Sequence, residues 1–194
     1  MPVPLYRLAV QFRVLTYILS LFYHTVRAQL YSFLRSQADG VDTIGVEEYK
    51  SRHFSTARRI AALFDMHRQQ WGVERMHQST IHCVAVGCLS ILEGLEFPEN
   101  SRAFVTLCTV ARDFGRHFGL ARGVLQVIQI VAQNTRVILP QDTHALFQEF
   151  EETRWTGERP MQSSSLYFSV VYRLAQGVGD HERDAQHQPD WDCL

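Results

Sequence analysis

Between Gln78 and Leu95 the chain places Ile81, Val84, Ala85, Cys88, Leu89, Ile91 and Leu92 around almost the whole circumference of a helix. A helix without a polar face cannot lie on a surface, so this segment predicts a helical array in which other helices surround it. Ala85, Gly87 and Ser90 are small enough to let a neighbouring helix approach its backbone closely.

The neighbours are legible as amphipathic patterns. Leu5 to Leu34 reads as one long helix, with a single break allowed, whose inner side is Leu5, Leu8, Phe12, Leu15, Leu19, Phe22, Val26, Leu30 and Phe33. Gln37 to Lys50 has no period and contains Gly40 and Gly45, which predicts a connecting loop. Ser55 can cap the next helix, whose inner face is Ile60, Phe64, His67 and Trp71 and whose end is Gly72.

After the central segment, Pro98, Glu99 and Asn100 make a turn, with Asn100 as the expected N-cap. Phe104, Leu107, Cys108, Ala111, Phe114 and Phe118 then form an apolar side, opposite Arg102, Thr106, Thr109, Asp113 and Arg116. Gly119 reads as a left-handed C-cap between this helix and the following one, which carries a polar stripe of Arg122, Gln126, Gln129 and Gln133. Pro140 opens a last helix that buries Leu146, Phe147 and Phe150.

The fold class expected is therefore all-α, an irregular multi-helix array of about six helices. A chain of 194 residues with 46% hydrophobic content suits one domain with a sizeable core. The division expected is a helical domain over 1–155 and a largely disordered tail over 156–194, interrupted by the short apolar patch LYFSVVYRLA.

Charge and cysteine usage exclude several functions. The formal net charge is −1, and the arginines are interspersed with Asp65, Glu74 and Asp113, so no basic run or recognition helix offers itself to nucleic acid. Asp113 and Arg116 stand at helical contact spacing and are expected to pair. Cys83, Cys88 and Cys108 lie in apolar helical patterns rather than in a disulfide framework, which points to a reducing compartment. No signal peptide is read at the N-terminus, and the uncharged run between Arg13 and Arg27 is shorter than the roughly 20 residues a bilayer span needs. No membrane partner is expected.

The nearest approach to a metal site is His77, His82, Cys83 and Cys88. Each like pair is five residues apart, about 140° around a helix, so a shared metal is not expected. The chain has no nucleophile elbow, no zinc-protease helix, no P-loop and no dinucleotide-binding fingerprint. Contiguous Glu47–Glu48 and Glu151–Glu152 read as solvated ends rather than tuned dyads, and His67 reads as a hydrogen-bonded core histidine. No enzyme, no metal and no cofactor is the expectation.

ARRIAALF with its terminal Trp71–Gly72 pair, LFYHTVRAQLYSFL, the helix ending near HFG, the LARGVL start and the Leu-Pro turn leading to Trp155 form one pattern. Over Leu21 to Trp155 it resembles the C-terminal helical regulatory region, or middle homology region, of fungal Zn(II)2Cys6 transcription factors, in particular the subgroup with nitrate-assimilation regulators. The resemblance implies a nuclear regulatory module, otherwise a cytoplasmic one, that works through protein partners such as the transcription machinery or a related regulator. It also implies a DNA-reading zinc cluster N-terminal to such a region. That cluster needs six cysteines, and this chain has four, so it is read as absent and the chain as a truncated or stand-alone regulator without direct nucleic-acid contact.

Two surfaces are candidates for function. The stripe Arg122, Gln126, Gln129 and Gln133 is a candidate partner surface. The alternative is a helical small-molecule sensor with its pocket between the Gln78 and Leu120 helices.

Overall fold

The computed structural model describes residues 5–38 and 43–154. Its α-helices run in the order α1 (Leu5–Ala38), α2 (Thr43–Trp71), α3 (Ile81–Ile91), α4 (Pro98–His117), α5 (Gly119–Asn134) and α6 (His144–Arg154), with short 3-10 turns between some of them. No strand occurs among the described residues, so the chain is all-α as its periodicity implies. The tail expected from 156 onward lies outside the described residues.

The central position of α3 follows from its composition. Nine of its residues, including Ile81, Val84, Cys88 and Ile91, are buried. It touches α1, α2, α4 and α5. Gly87 is the point of closest approach: a methyl group there would lie 2.9 Å from Cδ1 of Leu107 on α4 and 3.3 Å from Cγ2 of Ile60 on α2. The core around it contains Leu21, Phe64, Phe104, Phe114, Leu125 and Ile128, all fully buried.

Several local expectations are corrected. The segment Gln37 to Lys50 is mostly helical: α1 continues to Ala38 and α2 begins at Thr43, so Ser55 lies inside α2 rather than at its cap. α1 has no break. Pro98 takes the first turn of α4 and Phe97 its cap position. Asn100 is instead buried and donates from Nδ2 to the Gly94 carbonyl at 2.9 Å. Gly72 ends α2 with a positive φ of 80° that favours glycine, whereas Gly119 opens α5 after an extended Phe118. Arg116 reaches Glu149 on α6 at 2.9 Å, and Asp113 pairs with neighbouring Arg112 at 3.0 Å. A carboxylate supplied by another helix displaces the pairing that spacing alone suggests.

The largest correction concerns α1. The side that buries itself is Tyr17, Leu21, Thr25 and Ala28, which pack against α2 and α3. Leu15, Leu19, Val26, Leu30 and Phe33, read from the sequence as part of the inner face, are turned outward, whereas Phe22 of the same set is partly buried against the core. The side chains of Leu5, Leu8 and Phe12 lie outside the described residues.

Candidate functional site

Leu15, Leu19, Tyr23, Val26, Leu30 and Phe33 form that outward side, with exposures from 50% at Leu30 to 62% at Val26. At 3.6 residues per turn they fall on one stripe, opposite Leu21 and Ala28. Single exposed apolar residues are ordinary on protein surfaces. A contiguous row along five turns of one helix is the kind of patch that marks an interaction site.

Beside the stripe runs a groove of about 870 Å³ between α1 and α2, lined by His24 and Arg27 of α1 and by Glu48, Arg52, Ser55, Arg58 and Arg59 of α2. Helix α1 carries Arg7, Arg13, Arg27 and Arg35 and no carboxylate in its 34 residues. The groove thus gathers Arg27, Arg52, Arg58 and Arg59 around one acid, Glu48, which Arg52 already holds at 2.7 Å.

Arg27 is the hinge between stripe and groove. Its guanidinium lies 5.4 Å from the Tyr23 ring centroid and 5.6 Å from that of Tyr31, one turn to either side, and its Nη2 donates to the Tyr31 hydroxyl at 3.0 Å. These contacts hold a long side chain that would otherwise sample many rotamers. The Arg27 and Arg52 guanidiniums hydrogen-bond the Tyr31 oxygen and hold its pKa below the usual phenol value. Burial, followed by the charges of Arg27 and Arg59, lowers the pKa of His24. The arginine contributions to both shifts have the sign of a positive local potential. Arg58 is fixed from below by the Asn100 Oδ1, which accepts its Nη1–H at 2.7 Å.

Along the chain Arg58 and Arg59 stand near Asp65 and Glu74, and nothing in the sequence pairs them with Arg27, because the two helices meet only through packing. The absence of any carboxylate in α1 was the available signal.

The other expected site residues are spread out. On α5, Gln126 and Gln133 are exposed and Gln129 is half-buried, while the Arg122 side chain lies outside the described residues. α3 and α5 touch directly where the alternative reading put a ligand pocket, with Val84, Cys88, Val124 and Ile128 buried. His77 uses Nδ1 to accept from the Ser79 backbone, well apart in role from the buried Cys83 and Cys88. Burial raises the pKa of both thiols, and Cys108 adds to the shift at Cys88. Among the described residues no group of three or more His, Cys, Asp or Glu is placed to hold a metal. His67 is buried between Tyr17 and Trp71, with ring centroids 4.5 and 4.8 Å away. Its burial lowers the ring's pKa, opposed in part by hydrogen bonding to the backbone at Gly72. No described helix is long and apolar enough to cross a membrane.

Fold and surface together define an all-α array that carries an exposed apolar face beside an arginine-lined groove. The chain is 37% identical over 93 residues to the notoamide biosynthesis transcriptional activator notL' of Aspergillus versicolor. That match covers 48% of this chain and 15% of the activator. About half of the chain is therefore a region related to a fungal transcriptional activator. No family model and no solved structure matches.

Proposed function

We propose that this chain is a regulatory module of a fungal transcription regulator, acting in the nucleus by protein contact rather than by reading DNA. The kinship to a transcriptional activator supports the regulatory role. The observation that carries the mode of action is the α1 stripe with its flanking arginine groove, which together suit an amphipathic helix bearing carboxylates. Apolar side chains of such a helix would leave water on the stripe, and its acids would meet Arg27, Arg52 and Arg59. The α5 stripe of Arg122, Gln126, Gln129 and Gln133 is a secondary contact candidate.

The test is a reporter assay with the chain tethered to a heterologous DNA-binding domain. Leu19→Glu and Val26→Glu change exposed positions, so melting should be unaltered while reporter output changes severalfold. Unaltered output would refute the docking face. A second reading, recognition of a small polyanion such as a dicarboxylate or phosphorylated metabolite, is favoured by the volume and charge of the same groove. A thermal shift by such a compound that Arg59→Ser abolishes would establish it. An anisotropy titration that finds a nanomolar, sequence-specific DNA complex would overturn the protein-contact reading.

A further inference from the structure

We infer that the docking face on α1 and α2 is occupied, in the protein by itself, by the chain's own C-terminal segment. The inference rests on the reading of that face as a docking surface, and it names the occupant. Residues beyond Arg154 supply 40 residues of sequence with the two properties the face requires. Leu166, Tyr167, Val170, Val171 and Leu174 share one side of a helix at steps of one, three and four. Downstream, Asp180, Glu182, Asp184, Asp190 and Asp192 stand against one basic residue, Arg183.

The match is one of kind: as a helix the apolar segment would suit the stripe of Leu19, Tyr23, Val26 and Leu30, and the acids that follow it would suit the groove of Arg27, Arg52, Arg58 and Arg59 alongside. Reach is sufficient: the eleven residues from Trp155 to Ser165 extend to roughly 35 Å, about the diameter of a domain this size. A second copy docking stripe to stripe is the poorer occupant. It would bring α1 arginines against α1 arginines with no carboxylate on either helix. Self-docking makes the module autoinhibited: a partner's acidic helix must displace the tail, and tail release sets the access of that partner.

The cysteine distribution provides the experiment. Cys83, Cys88 and Cys108 are buried, which leaves Cys193 in the acidic tail as the site for a thiol-reactive nitroxide on the intact folded chain. The expected result is loss of amide signal, relative to the reduced label, concentrated at Tyr23–Leu30 and Ser51–Arg59. It should be independent of protein concentration and reversed by Arg52→Ser with Arg59→Ser, by Val170→Glu with Leu174→Glu, or by molar salt. Broadening that is absent or spread evenly over the surface would overturn the inference, and broadening that grows with concentration would assign the face to a second copy. A free tail in a protein whose reporter output still responds to Val26→Glu would sink the self-contact alone and leave the docking face standing.

Discussion

Arg58 of α2 donates from Nη1 to Oδ1 of Asn100 across 2.7 Å, and the same amide donates to the Gly94 carbonyl at 2.9 Å. One buried side chain thus joins the floor of the arginine groove to the turn that carries the chain from α3 into α4. Asn100→Ala leaves the Gly94 carbonyl and the Arg58 guanidinium without these partners. Denaturant titration should show a loss of about 2–3 kcal/mol. A cost below 0.5 kcal/mol would mean that water replaces the amide.

Leu21 and Leu19 sit two residues apart on α1 with opposite environments, fully buried and 59% exposed. Leu21→Ala should destabilise by about 2–5 kcal/mol through the cavity it opens, while Leu19→Ala should fall within about 0.5 kcal/mol of the parent. Thermal unfolding of the two variants checks which side of α1 faces the core. The reverse order would restore the inner face inferred from periodicity.

Burial, followed by the nearby charge of Arg35, lowers the pKa of His53 to about 4, and its Nδ1 has no hydrogen-bond partner. In the unfolded chain the same imidazole takes up a proton near pH 6.5. Between those values acid protonates the unfolded state preferentially. Stability conferred by the neutral ring is therefore present above pH 6.5 and lost as pH falls toward 4, on the order of 3 kcal/mol in full. His24, His67 and His82 shift in the same direction through burial. Melting temperature followed from pH 7 to pH 4 should fall, and His53→Phe should flatten the decline. A profile unchanged by that variant would remove His53 from the account.

Gly94 faces a more crowded surrounding than Gly87. A methyl group at Gly94 would lie 2.6 Å from Cζ of Phe54 and 2.7 Å from Nδ2 of Asn100, both buried, against 2.9 Å from a Leu107 methyl at Gly87. Gly94→Ala should cost at least about 2 kcal/mol, and Gly87→Ala less, because alanine's helix propensity, worth about 1 kcal/mol, offsets part of the overlap. Equal urea midpoints for the two variants would contradict this ranking.

Periodicity by itself determined the helical class, the central place of α3, the inner faces of α2 and α4, and the end of α2 at Gly72. Each follows from local rules: side-chain spacing selects the helix, and a segment apolar all round has only one place to go. Asn100 and Gly119 escaped those rules, because Pro98 starts α4 three residues earlier than an Asn100 cap would and Phe118 makes the bend between α4 and α5 without a positive φ. What only the tertiary structure decided is which side of α1 is buried. The helix is apolar on two sides, and the smaller residues, Thr25 and Ala28, are buried against α2 and α3 while Leu19, Val26 and Phe33 are left in water. The arginine groove has the same origin, since Arg27 joins Arg52, Arg58 and Arg59 only once the two helices lie side by side. Helical period reports that a face is apolar; close packing between helices decides whether that face is core or surface.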